Sequence, residues 1–145
     1  MAAIRTAEVV WDHDLLKGSG HVSGGSGSFR NLGLSWASRT EQPGANTSPE
    51  ELLAAAHAGC FSMSLSATLA RRQHPPEQLR VTARCTFDKV GDSWKVTTME
   101  LDVRGKVPGV TAAEFAEAAG VAEANCPISK ALHGNVAIRV NAALA

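Results

Sequence analysis

Between Leu52 and Ala70 the chain runs nineteen residues without a formal charge, and no fold of this chain is stable unless that stretch leaves water. Its length raises the question of a bilayer span, which needs about 20 mainly apolar residues. The content points elsewhere. His57, Ser62, Ser64, Ser66 and Thr68 interrupt the run, Ala and Gly contribute little transfer energy, and no second stretch of this kind occurs. The expected element is a helix buried in protein. A helix that is apolar or small on every side needs neighbours all round, and its Ala and Gly positions permit close crossing by another helix, including the same helix of a second chain. The start is specified locally: Ser48 can cap, Pro49 suits the first helical position, and Glu51 at the third can return a bond to the cap. Glu51 is thereby accounted for, whereas Glu50 is not.

Punctuation elsewhere divides the 145 residues into short elements. Residues 3–11 alternate loosely, and Gly18 to Ser28 holds five glycines, so two or three strands joined by glycine-rich turns are expected there. The glycine run is not a phosphate loop, because no Gly-Lys-Ser/Thr follows it and no Gly-x-Gly-x-x-Gly opens a helix. His74-Pro75-Pro76 stops the long helix. Val81, Ala83, Cys85 and Phe87 then alternate with polar residues, Gly91-Asp92 turns the chain, and Met99, Leu101 and Val103 alternate in a second strand, which makes a hairpin. Thr111 and Glu114 form a capping box for a helix to about Ala124. Cys126-Pro127 opens a short helix that Gly134 ends, and Val136, Ile138 and Val140 mark a last strand. The fold class expected is α+β, with a mostly antiparallel sheet around a long buried central helix, in a single domain over 1–145 without repeats or linkers.

Charge and composition exclude several functions. Fourteen Lys and Arg balance fourteen Asp and Glu, and the cations are scattered, so no basic stripe exists to exchange counterions with nucleic acid or an anionic membrane surface. No Tyr is present, which removes phenolic acid or phenolate mechanisms. Flavin, haem and nicotinamide motifs are absent, so no cofactor is expected. Charges at Arg5, Glu8, Asp12 and Asp14 leave no room for a secretory signal, and a cytoplasmic location is expected. There, three widely spaced cysteines, Cys60, Cys85 and Cys126, argue against a permanent disulfide framework.

The three thiols differ in surroundings. Cys85 lies on the apolar parity of its strand and reads as a small core hydrophobe. Cys60 sits mid-helix, so any activation has to come from an external cation, the alternative being a buried core cysteine. Cys126, just before Pro127, occupies an N-cap position where free backbone N–H groups favour a thiolate; a simple helix-start residue is the alternative.

These residues carry a resemblance. The run Asn46-Thr47-Ser48-Pro49-Glu50-Glu51-Leu52-Leu53-Ala54-Ala55-Ala56-His57-Ala58-Gly59-Cys60-Phe61-Ser62-Met63 resembles the central helix of the OsmC/Ohr peroxidases, in their osmotically inducible branch, and Cys126-Pro127-Ile128-Ser129 is similar to their second cysteine motif. Trp11, the glycine-rich hairpin and the Val107-Pro108-Gly109 turn extend the likeness over essentially the whole chain. Ser48 stands where the family usually has Asn, but both residues cap helices. The resemblance implies reduction of organic hydroperoxides, with Cys60 as peroxidatic nucleophile and Cys126 trapping its sulfenic acid as a disulfide before further oxidation becomes irreversible. Arg39 matches the family's activating arginine and Glu50 the carboxylate that holds it; a solvated strand arginine and a first-turn acid are their plain alternatives. On one straight helix Glu50 and Cys60 lie about 15 Å apart along the axis. An intertwined homodimer, with Cys60 of one chain meeting Glu50, with or without Arg39, of the other, would close that gap. Phe61, Met63 and Trp36 could line an apolar pocket for alkyl or lipid hydroperoxides. The reductant would be an outside dithiol, of dihydrolipoyl or similar type.

Two other classes fit fewer residues. His57, Cys60, Cys126 and His133 supply the right number of ligands for tetrahedral zinc in a metal-binding stress protein, although neither half has a Cys-x-x-Cys. A hydrolase or acyltransferase would pair Cys60 with His57 at helical spacing three, but no Gly-x-Ser-x-Gly elbow occurs and no oxyanion hole can be assigned.

Overall fold

The computed structural model describes residues 1–145, which divide into two compact units, Met1–Leu52 and Leu53–Ala145. In the first unit the glycine-rich turns produce an antiparallel meander of β1 (Ala7–Asp12), β2 (Ser19–Gly24) and β3 (Leu32–Leu34). Trp11 pairs across the sheet with Gly20, and a Cβ at Gly20 would lie 2.8 Å from the indole ring, so glycine is what lets the ring lie over the neighbouring strand. A five-residue helix follows, α1 (Trp36–Thr40), fixed by a reciprocal capping box between Ser35 and Ser38. Arg39 therefore projects from a helix rather than from the strand that was the plain alternative for it.

The long helix α2 (Pro49–Arg71) starts in the first unit and continues in the second. The Glu51 N–H donates to Ser48 Oγ at 3.1 Å, as the cap requires. The Glu51 carboxylate departs from the expected capping box and accepts the Thr47 hydroxyl instead. By length and composition alone α2 could cross a membrane, a property that core helices of soluble proteins share. Within the chain it buries one stripe, His57, Phe61, Leu65, Thr68 and Leu69, at steps of one helical turn. Ala55, Ala56, Gly59 and Met63 are exposed, Met63 at 70%. The expectation of neighbours all round α2 is therefore not met within the chain, which buries one side of it.

The second unit builds its sheet from β4 (Gln78–Val90), β5 (Ser93–Lys106) and β6 (Ala137–Leu144), in the order β4-β5-β6. β4 and β5 form the expected antiparallel hairpin, with a bulge between Thr86 and Phe87. β6 pairs parallel to β5, because the connection between them is a crossover through α3 (Ala112–Asn125) and α4 (Pro127–Leu132), the kind of connection parallel strands need. The parity of β5 buries Met99, Leu101 and Val103 against Phe61, Leu65 and Leu69 of α2 and Phe115, Ala118, Ala119 and Ala122 of α3. Cys85 packs at the border of this core, on the inward parity expected of it. The other parity carries a polar ladder, with Arg84 donating to Glu100 at 2.9 Å and Asn141 to Asp102 at 2.8 Å. Thr111 and Glu114 form the expected capping box at the start of α3.

Candidate active site

In the second unit two of the three free thiols meet. Cys60 is half-buried on α2, and Cys126 is fully buried at the junction where α3 ends and α4 begins. Cys60 packs against the core that contains Cys126, near enough for the Cys126 thiol and the Ile128 N–H both to act on its sulfur. Pro127 at the first position of α4 brings that N–H to the start of the helix, where it has no intrahelical acceptor. The free N–H group expected to favour a thiolate at Cys126 thus serves Cys60. Burial pushes the Cys60 thiol above its ordinary value near 9.0, the Ile128 N–H opposes that, and the adjoining Cys126 reinforces it. Stabilising a Cys60 thiolate at neutral pH therefore requires positive charge brought to the sulfur.

One helical turn from the thiols, His57 Nε2 and Ser129 Oγ lie 2.7 Å apart, and both residues are fully buried. Burial lowers the pKa of His57 below its ordinary 6.5, against an upward pull from Glu123 and with a smaller downward push from His133. His133 Nε2 in turn lies 2.6 Å from Glu123. Neither minority reading gains support from these surroundings. The zinc quartet of His57, Cys60, Cys126 and His133 is not gathered within the chain, where no group of three or more His, Cys, Asp or Glu side chains is arranged to hold a metal. A Cys60–His57 thiolate–imidazolium pair is opposed by burial, which disfavours the imidazolium. Ser129 and Glu123 were missed in the sequence. The available signal was the mirrored spacing of His57-x-x-Cys60 and Cys126-x-x-Ser129.

In the first unit Arg39 and Glu50 are joined. Arg39 Nε donates to both Glu50 oxygens, at 2.9 and 3.1 Å, and Nη2 donates to Oε1 at 2.7 Å. Glu50 is 7% exposed and the Arg39 side chain 31%. The pair is held from below, because Ser38 Oγ donates to the Thr47 carbonyl at 3.1 Å and the Thr47 N–H donates to Gly33 O at 2.9 Å, tying α1 to the segment that leads into α2. The Arg39 guanidinium also lies 5.9 Å from the centre of the Trp36 ring. Beside it opens a cavity of about 310 Å³ lined by Trp11, Leu15, Leu34, Ser35, Trp36, Arg39 and Pro49. Of the three residues expected to line a pocket, only Trp36 does so here. Phe61 is a core residue with no exposure, and Met63 projects outward.

A sequence model of the family described as OsmC-like protein matches residues 42–141. The chain belongs to the OsmC-like family. Similar relatives of this OsmC-like chain include the peroxiredoxin OsmC of Escherichia coli, 33% identical over 138 residues that cover 95% of this chain and 96% of the relative. The organic hydroperoxide resistance protein OhrA of Bacillus subtilis is 33% identical over 99 residues, 67% of each chain. Among solved structures, an organic hydroperoxide resistance protein OsmC from Legionella pneumophila superposes with a TM-score of 0.77 at 22% identity, covering 98% of this chain and 99% of that one. The α+β arrangement of two small sheets and helices is thus the fold of the OsmC and Ohr proteins.

Proposed function

We propose that this OsmC-like chain is a cysteine-based peroxidase that reduces organic hydroperoxides to alcohols. The observation that carries the reading is the proximity of Cys60 to the buried Cys126, two free thiols brought to one core from positions far apart in the sequence. In the first step the Cys60 thiolate attacks the distal peroxide oxygen. The O–O bond breaks, the alkoxide leaves and takes up a proton, and Cys60 becomes a sulfenic acid. Cys126 then attacks the Cys60 sulfur, its proton departs with the hydroxyl group as water, and a disulfide remains. An external dithiol of lipoyl type restores both thiols by exchange.

Activation of Cys60 falls to Arg39, with Glu50 fixing the guanidinium. A guanidinium favours the thiolate and can also polarise the peroxide oxygen, with a directionality Lys lacks. Glu50 and Cys60 share α2 at about 15 Å along its axis, so each site draws Cys60 and Cys126 from one chain and Arg39 and Glu50 from the other, in an intertwined homodimer. The exposed small residues of α2 permit the close crossing this needs. The aromatic cavity beside Arg39 offers apolar surface to the organic group of the hydroperoxide, and the enzyme works in the cytoplasm.

The test compares consumption of cumene hydroperoxide and hydrogen peroxide by wild type, Cys60→Ser and Cys126→Ser with a dithiol present. Cys60→Ser abolishes turnover. Cys126→Ser undergoes one oxidation and then passes readily to sulfinic acid. Equal activity of the three proteins would refute the mechanism.

A further inference from the structure

Beside the two cysteines, α2 meets α4 at a second place that is chemically odd for a core. His57 precedes Cys60 by three residues and Ser129 follows Cys126 by three, so on each helix the two side chains share a face. Cys60 meets Cys126 and His57 meets Ser129, which makes two parallel rungs one turn apart. The second rung is sealed from solvent at both ends, and His57 Nδ1 is buried without any partner. A phenyl ring or a leucine would fill the space without orphaning a polar atom, and such a buried orphan calls for an explanation. What the imidazole adds is a short directional link to the first turn of α4. Either tautomer of the ring serves this link, because the Ser129 hydroxyl can accept from Nε2 or donate to it.

We propose that His57 and Ser129 are positioning residues for the resolving step, holding the first turn of α4 so that the Cys126 sulfur and the Ile128 N–H stay aligned on Cys60. The inference rests on the peroxidase reading above and adds to it a division of labour: the rung governs disulfide closure and not the attack on peroxide. Closure is the demanding step geometrically, since two sulfurs must reach bonding distance on an unstrained path, whereas the peroxide diffuses to Cys60. Ser129 itself takes no part in the covalent chemistry.

The test uses full-length protein oxidised with one equivalent of cumene hydroperoxide, quenched with an alkylating agent and resolved by mass spectrometry into sulfenic acid, disulfide and sulfinic acid. Ser129→Ala removes only an oxygen atom from the fold, and Ser129→Thr keeps the hydroxyl. In Ser129→Ala the first oxidation should stay within about twofold of wild type while disulfide formation slows about tenfold, in line with what a small misplacement of reacting groups does to a rate. Sulfinic acid should accumulate accordingly, and Ser129→Thr should recover most of the closure rate. Equal slowing of both steps, or an unchanged ratio between them, overturns the inference and leaves the peroxidase reading standing. Wild type that forms no Cys60–Cys126 disulfide overturns both.

Discussion

Replacing Glu50 by Gln keeps the size of the side chain and removes the charge that Arg39 is bound to. The carboxylate accepts three contacts between 2.7 and 3.1 Å from two guanidinium nitrogens. The amide offers one acceptor oxygen and turns an NH2 group toward the cation. Hydrogen bonds to charged groups contribute about 1.5–3 kcal/mol and neutral ones about 0.5–1.5. The Arg39 side chain is 31% exposed, and solvent screening moves the difference to the low end, so the expected loss is about 1–2 kcal/mol. With a urea m-value of about 2 kcal/mol/M, the unfolding midpoint should fall by about 0.5–1 M. Glu51→Gln is the control: it removes a charge from the same helical turn, and with it the same dipole contribution, without touching Arg39. Oxidation of Cys60 by cumene hydroperoxide should slow about tenfold in Glu50→Gln, the loss expected when a charged stabilising group is no longer held in place, and stay near wild type in Glu51→Gln. If Glu50→Gln lowers stability but leaves the oxidation rate unchanged, the pair only anchors the start of α2, and its assignment to the reaction is wrong.

Two further outcomes follow from buried groups. Burial holds the folded pKa of His57 below 6.5, so on acidification the unfolded chain takes up the proton first; stability is fully retained above about pH 6.5 and falls below it, with a slope of at most about 1.4 kcal/mol per pH unit. Urea midpoints measured from pH 7.5 to 5.5 should show this slope in wild type and a shallower one in His57→Gln. At Gly105, an added Cβ would press into Phe115 Cζ and lie 2.7 Å from its Cε2, and the ring has no exposed face toward which to move. Gly105→Ala should therefore lose about 1–3 kcal/mol and melt about 2–12 °C lower, with part of the loss recovered by adding Phe115→Leu.

The parts of this molecule legible in its sequence are those fixed by neighbours along the chain. The Ser48 cap, the Thr111–Glu114 box, the alternation from Val81 to Phe87 and the Cys126-Pro127 helix start each depend on residues within a few positions, and each is present. Thr47 outcompetes the Ser48 backbone for Glu51, a choice between two adjacent donors that spacing cannot make. The helix carrying Arg39 is five residues long, too short for a periodic signal, and only its Ser35–Ser38 box could have revealed it. The parallel pairing of β6 with β5 depends on which edge the crossover reaches, and the His57–Ser129 rung joins residues 72 positions apart. The Arg39–Glu50 ion pair joins residues that the resemblance had linked, and their part in a reaction, like that of Cys60 and Cys126, is a matter for the variants above. The assignment of the free N–H to Cys60 needed coordinates, because it depends on which sulfur sits above the first turn of α4.

The meeting of positions 60 and 126 has a mechanical consequence. Everything between them, the end of α2, the β4–β5 hairpin and the whole of α3, would become a closed covalent ring once the sulfurs join. A ring of that size restricts the unfolded chain by about 4 kcal/mol on the chain-entropy account. The spent form of the catalyst would then be its sturdier form, and reduction would loosen the scaffold as it rearms the chemistry.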